Sequence, residues 1–205
     1  MPSDDLRPRD DAGGTRGRMP PGRYPGIVLA RHGETDDNRP PIRFQGFSDT
    51  PLNDTGRRQA AELAERVVGQ GIVSLWSSDL SRARETAEIV AARIGLEPQL
   101  DARLREASRG VWEGRLFIDV EREQPELFRA WMRAGDGFRF PGGESLVEQQ
   151  QRVSAALDEI RGTAQLPALV VCHGGSIRVI LCERDPRGLA AFHEFKLPNV
   201  TLVPL

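Results

Sequence analysis

Three short segments of this chain concentrate side chains suited to handling an anion: Arg31-His32-Gly33, the arginines at 82 and 84, and His173-Gly174-Gly175. Histidine offers a neutral ring nitrogen for attack or a donor for developing charge, and arginine a planar fork matched to phosphate oxygens. A glycine behind each histidine lets backbone approach a ligand closely, at the place where a helix N-terminus also favours negative charge. Singly each signal is weak. A His-Gly pair is usually a plain turn, and an arginine on a helix is usually solvated. The third histidine, His193, has no such context and reads as a surface or packing residue.

The value of the three segments depends on what positions them. Ile27 to Ala30 is a short apolar run, a buried strand that would deliver Arg31 and His32 at its carboxyl end. Ala60, Leu63, Ala64, Val67 and Val68 then recur at helical spacing, with Asn53 or Thr55 as cap and Gly69 or Gly71 as stop. The cycle repeats. Val73 to Trp76 is a second strand, and Asp79 caps a helix carrying Leu80, Ala83, Ala87, Val90 and Ile94 that ends at Gly95. After an irregular stretch from Asp101 to Gly143, a helix capped near Ser145 leads to a strand at Ala168 to Cys172 and a helix from Ser176 to about Glu183. Val200 to Val203 is extended enough for an edge strand. This alternation predicts an α/β fold of three layers, a mainly parallel central sheet flanked by helices on both faces. Ligands of such sheets lie beyond the carboxyl ends of the strands, which gathers Arg31, His32, Arg82, Arg84 and His173 around one space. Phosphate is the natural occupant.

Composition narrows the alternatives. The 205 residues carry 28 basic and 30 acidic side chains, a formal net charge of -2, with no global basic surface for nucleic acid. Lys196 is the only lysine, and its setting in Glu-Phe-Lys-Leu-Pro excludes a Walker-type nucleotide loop. Cys172 and Cys182 make no Cys-x-x-Cys pair, which argues against structural zinc or a disulfide framework and for a reducing, cytoplasmic setting. No apolar run approaches the roughly 20 residues of a membrane span. Residues 1–26 read as a disordered tail, with Met19 offering a later start, and 27–205 as a single domain. Within it, 115–140 carries Arg122, Phe128, Arg129, Trp131, Arg133, Phe138 and Arg139, either a substrate-selecting cap or packed core.

Arg31-His32-Gly33-Glu34-Thr35 followed by Asn38 resembles the signature of the histidine phosphatase superfamily, the phosphoglycerate-mutase-like proteins. Further matches occur in family order: Gln45-Gly46, Pro51-Leu52-Asn53, Ser77-Ser78-Asp79-Leu80-Ser81-Arg82-Ala83, Glu106, Trp112-Glu113-Gly114, Pro141-Gly142-Gly143-Glu144-Ser145, His173-Gly174-Gly175 and Asn199. The resemblance covers about residues 27–203. It implies a phosphomonoester hydrolase for a small phosphorylated metabolite, with His32 as nucleophile and a phosphohistidine intermediate. Arg31 and Arg82 would clamp the phosphoryl oxygens and keep His32 neutral, and His173 would donate as charge develops. Glu106 would be the general acid and then the base for water, with Thr35, Asn38, Gln45 and Gly46 lining the substrate pocket. The scheme calls for no metal and no cofactor.

Two departures from the family pattern stand out. Asp37 puts a carboxylate near the expected mouth, and Arg109 comes three residues after the proposed acid, where it would lower the pKa of Glu106. Rivals remain at this point. Cys172 to Arg178 satisfies the C-x5-R loop of cysteine-dependent phosphatases, with Asp185 as a mimic of their acid, though this leaves Arg31-His32-Gly33 and Arg82 idle. Phosphoglycerate mutase keeps the fold, but the 115–140 segment is short for the mutases' basic insertion. A catalytically silent phosphate-binding adaptor is the third. The physiological substrate and the oligomeric state, homodimer included, are left open.

Overall fold

The computed structural model describes residues 24–205. The expected tail therefore lies outside the described residues up to position 23. Its last residues do not belong to it, since Tyr24 is buried among Val28, Ala30 and the apolar face of the first helix.

In chain order the elements are β1 (Ile27–Arg31), α1 (Asp54–Val67), β2 (Ser74–Ser77), α2 (Ser81–Ile94), β3 (Pro98–Leu100), α3 (Phe117–Glu123), α4 (Pro125–Arg133), α5 (Leu146–Thr163), β4 (Ala168–Cys172), α6 (Gly174–Cys182) and β5 (Leu202–Pro204). They build a five-stranded sheet of order β3-β2-β4-β1-β5. β4 pairs parallel with β1 and with β2, β2 pairs parallel with β3, and β5 runs antiparallel along β1. Alternate residues of the central strands feed two cores. Ile27, Leu29, Ala168, Val170 and Cys172 pack with Val153, Leu157 and Ile160 of α5 and Ile177 and Ile180 of α6. Val28, Ala30, Leu169 and Val171 pack with Leu63 and Val67 of α1 and Ala83, Ala87 and Val90 of α2. These are the three layers that the alternation predicts.

Local chemistry fixes most of the ends. The Asn53 side chain accepts from the Gly56 N–H at 2.9 Å to cap α1, and Ser145 and Glu148 form a reciprocal capping box on α5. Gly95 closes α2 at φ 71°, a left-handed conformation that costs glycine least. Asp79 does not cap α2. Its carboxylate binds Arg105 at 2.6 Å, and the Ser81 N–H at the start of α2 donates instead to Asp49 at 2.6 Å. Three further boundaries differ from the sequence reading. β3 is an additional edge strand, α6 begins at Gly174 rather than Ser176, and β5 begins at Leu202 because Val200 turns the chain at φ 53°. Among the described residues no helix is long and apolar enough to cross a membrane.

The register of β1 on β4 brings the two histidine segments side by side. Arg31 lies beside Cys172, so the next residue of each strand, His32 and His173, emerges at the same sheet edge. The His32 N–H donates to the Cys172 carbonyl at 3.0 Å, and the two imidazole rings stand 5.1 Å apart.

Candidate active site

A cavity of about 540 Å³ opens at that edge, with His32, Arg31, Arg82, Glu106, Gln45 and Gly46 among its lining. His32 is almost wholly buried, and its Nδ1 lies 2.6 Å from the Gly33 carbonyl. A carbonyl only accepts, so Nδ1 carries the proton and Nε2 keeps its lone pair. Burial, followed by His173, Arg82 and Arg31, holds the His32 pKa well below the usual histidine value. The ring is therefore neutral near pH 7. Gly33 is required by close approach: a Cβ there would stand 2.4 Å from the Gly56 carbonyl oxygen. Behind the loop, the Asn199 amide donates to the His32 carbonyl at 2.9 Å, and the Gly33 N–H to Thr86 at 3.1 Å.

Around His32 stand four buried donors with no hydrogen-bond partner: Nε of Arg31, Nε of Arg82, Nδ2 of Asn38 and Nδ1 of His173. A buried donor left unpaired costs roughly 1–3 kcal/mol, so four together describe a site shaped for an acceptor-rich ligand. The rest of each side chain is tied down. Arg31 donates to the Leu197 carbonyl at 2.5 Å, and Arg82 to the carbonyls of Ser48 and Gly46 at 2.8 Å each. His173 Nε2 faces the Ser78 hydroxyl at 2.8 Å; with Ser78 donating, the His173 proton sits on the unpartnered Nδ1. Burial lowers both arginine pKa values to about 10, still protonated at neutral pH.

Glu106 has the opposite character. Burial pushes its pKa up, but Arg109 at 3.3 Å and hydrogen bonds from Ala107, Gly175 and Gln149 outweigh it and hold the carboxyl at about 2. The lowering by Arg109 agrees with the sequence reading. Gly175 is what allows the contact, because its N–H donates to Glu106 Oε2 at 2.8 Å and a Cβ in its place would lie 2.0 Å from Oε1.

The other predicted residues divide. Asn38, Gln45 and Gly46 line the cavity, whereas Thr35 is fully buried behind them. Thr35 accepts the Gln45 amide at 2.5 Å and donates its N–H to Asn38 at 3.1 Å, so it positions the lining without joining it. Glu113 does similar work from further back, accepting from the N–H groups of Phe47 at 2.9 Å and Arg109 at 3.0 Å. Arg84 does not reach the site. It is exposed on α2 and pairs with Glu88 at 3.6 Å. Asp37 is turned away onto Thr50. Cys172 is buried in the sheet with its thiol pushed up to about 12 by burial, which leaves no thiolate for the C-x5-R reading.

Arg43, Arg178 and His193, which the sequence reading left outside the predicted pocket, line the cavity with Ile42, Phe117 and Met132, as do Arg109, singled out in the sequence for its effect on Glu106, and Phe128 and Trp131 of the expected cap. His193 is no plain surface residue: its Nε2 donates to the Trp131 carbonyl at 2.9 Å and its ring stands edge-on to the indole at 4.8 Å. Phe128 and Trp131 are both core and wall, which joins the two readings of 115–140.

Comparison with known sequences decides the lineage. The profile of the histidine phosphatase superfamily (branch 1) matches residues 27–205. The chain belongs to the histidine phosphatase superfamily. A probable phosphoglycerate mutase, GpmB, of Yersinia pestis (strain Pestoides F) is 41% identical over 159 residues, 76% of this chain and 72% of the relative. Among solved structures, a mycobacterial glucosyl-3-phosphoglycerate phosphatase complexed with VO3 superposes with a TM-score of 0.78 at 31% identity, covering 86% of this chain and 90% of that one. A mutant phosphoserine phosphatase from Entamoeba histolytica, in complex with phosphoserine, gives a TM-score of 0.75 at 26% identity, covering 86% and 87%. The relatives of this superfamily member are thus named both as mutase and as phosphatase.

Proposed function

We propose that this superfamily member hydrolyses phosphate monoesters of small metabolites through a phosphohistidine on His32. The observation that carries the reading is a neutral, Nδ1-protonated His32 in company with four unpartnered buried donors, on Arg31, Arg82 and Asn38 of the same cavity and on the adjacent His173. Nε2 attacks phosphorus as the ester P–O bond breaks, and the donors of Arg31, Arg82, Asn38 and His173 take up the charge on the phosphoryl oxygens. Glu106 supplies the proton to the leaving oxygen. In the free enzyme it is ionised, but a dianionic phosphoryl group roughly 5 Å away opposes ionisation by about 3 kcal/mol per charge, enough to return it toward protonation. Water then attacks the phosphohistidine, gives its proton to Glu106 and releases inorganic phosphate with His32 restored.

The test is phosphate release from p-nitrophenyl phosphate together with trapping of an acid-labile phosphoenzyme. His32→Ala is expected to abolish both and Cys172→Ser to retain both; the reverse would overturn the mechanism. Absence of release from a broad monoester panel would favour a silent binding module.

Phosphoglycerate mutase is the second reading, supported by the name of the Yersinia relative. An assay with and without a bisphosphoglycerate primer separates them. Isomerisation outrunning phosphate release would make the protein a mutase.

A further inference from the structure

We propose that Arg152 is the positioning residue of Glu106, a side chain that does not line the cavity but sets where the carboxylate stands in it. The proposal rests on the reading of Glu106 as proton donor to the leaving oxygen. Glu106 lies on a stretch, Arg105 to Ser108, that belongs to no helix or strand, so no ladder of backbone hydrogen bonds holds it. Arg152, on α5, supplies the missing partners. Its Nη1 donates to the carbonyls of Arg103 at 2.8 Å and Arg105 at 2.7 Å, and its Nη2 to the carbonyl of Glu106 itself at 2.7 Å. Nε and the second hydrogen of Nη2 clasp the Glu144 carboxylate at 2.7 and 2.8 Å, and Glu144 Oε2 also accepts the Ser108 N–H at 2.8 Å. All five donors of the guanidinium are thus engaged on the segment 103–108 and on the carboxylate that ties off its end.

Neither the Arg103 nor the Glu106 carbonyl has another hydrogen-bond partner among the described residues, whereas Arg105 shares its own with Ser176 Oγ at 2.9 Å. Three positions earlier on the same face of α5, Gln149 donates to Glu106 Oε1 at 2.8 Å, so one helix holds Glu106 both by its backbone and by its carboxylate. The Arg152 guanidinium also stands 5.9 Å from the centre of the Phe47 ring, and the carbonyls on either side of Phe47, those of Gly46 and Ser48, are the ones that hold Arg82. Arg152 therefore lies between the segment carrying Glu106 and the loop holding Arg82, where it fixes the separation of the two. The task requires a planar fork. Lysine keeps the charge opposite Glu144, but its compact ammonium has three donors and cannot span a carboxylate and three carbonyls.

Arg152→Lys in the full chain tests the assignment, by kinetics on an n-alkyl phosphate and on p-nitrophenyl phosphate and by amide hydrogen exchange. A group misplaced by about 1 Å costs on the order of a hundredfold, so kcat on the alkyl ester is expected to fall by about ten- to a hundredfold, with KM within about threefold of wild type. On p-nitrophenyl phosphate, whose leaving group needs little protonation, the fall should stay under about threefold. In the Glu106→Ala background the same substitution should cost less than about twofold on either ester. The Ala107 and Gly175 amides, which donate to the Glu106 carboxylate, should exchange about tenfold faster in Arg152→Lys, a larger factor than any change in the amides of β4. Equal losses on the two esters, an undiminished loss in the Glu106→Ala background, or exchange at Ala107 and Gly175 that moves no more than that of β4 would each overturn the positioning role. Should Arg152→Lys fail to fold, Glu144→Gln, which loosens the same clasp and leaves the fork in place, is read by the same comparisons. If the wild-type protein releases no phosphate from either ester, or Glu106→Ala is as active as wild type, the reading of Glu106 as proton donor fails, and the exchange rates alone then decide whether Arg152 holds it.

Discussion

Gly175→Ala sets two physical effects against each other with opposite signs. Position 175 is the second residue of α6, where alanine is intrinsically better than glycine by about 1 kcal/mol. On helix propensity alone the variant gains stability. The packing says otherwise, since the new Cβ would stand 2.0 Å from Glu106 Oε1 and 2.7 Å from its Cδ. To reach ordinary contact the carboxylate must retreat by more than about 1 Å. That breaks its 2.8 Å bond from the Gly175 N–H and disturbs the 2.8 Å bond from Gln149, both made to a buried ionised group. At roughly 1.5–3 kcal/mol per charged bond, two such losses exceed the propensity gain and leave a net destabilisation of about 2–5 kcal/mol. In the proposed mechanism a displaced Glu106 would serve the leaving group poorly, so kcat is expected to fall by about a hundred- to ten-thousand-fold. The loss should be larger for an alkyl phosphate than for p-nitrophenyl phosphate, whose leaving group needs less help. Urea denaturation and steady-state kinetics read the two effects, and Glu106→Ala supplies the control, because with the carboxylate gone Gly175→Ala should be neutral or stabilising. A Gly175→Ala protein as stable and active as wild type would refute the reasoning, as would an equal penalty in the Glu106→Ala background.

Three further outcomes are expected of the same site. Folding stability is expected to decline as pH falls below about 6.5, because His32 and His173, and to a smaller degree His193, are held neutral in the folded protein and gain protons when it unfolds; His32 and His173 together carry the slope toward roughly 2.7 kcal/mol per pH unit, followed by urea unfolding, and His32→Ala should remove about 1.4 kcal/mol per pH unit of it. Ser78→Ala removes the donor that fixes the proton of His173 on Nδ1, so kcat should drop by about tenfold with KM little changed, and Ser78→Thr should recover most of it. A flat response in kcat would disprove that tautomer. Thr35→Val keeps the packing but removes the hydroxyl that anchors Gln45, and should raise KM by about fivefold through the loss of a bond of about 1 kcal/mol; a change in kcat alone would contradict a positioning role.

The central strands and the helices against them are legible because each carries its own period: the unbroken apolar run of β4 and the helical recurrence from Ala60 to Val67 both persist in the structure. β3 is not, since its Gln99 and Leu100 are exposed at an edge and leave no burial pattern to read. Asp79 has the right chemistry for a cap, and a distant arginine outcompetes the helix for it. The site divides along similar lines. His32 and His173 sit one residue beyond the ends of β1 and β4, where the strand pattern alone places them together. Thr35 and Arg84 lie in the right segments but point elsewhere, a matter of rotamer and packing that sequence spacing does not encode. Arg109, Arg178 and His193 come from the residue before a 3-10 turn, from a helix and from a loop, and only the fold shows that they line one cavity.

The pairing of β1 has a consequence for how the protein is made. Its partners are β4 and β5, so Ile27 waits for Ala168 and Leu29 for Val203. The loop behind the first histidine is further held by Asn199, and Arg31 by the carbonyl of Leu197. A nascent chain that has emerged only as far as α5 has already exposed His32, but lacks both neighbours of the strand that carries it. Such distant closure is slow compared with the formation of the intervening helices. Phosphatase activity in a translating system would therefore appear late and abruptly, and would serve as a timer for the arrival of the last strand.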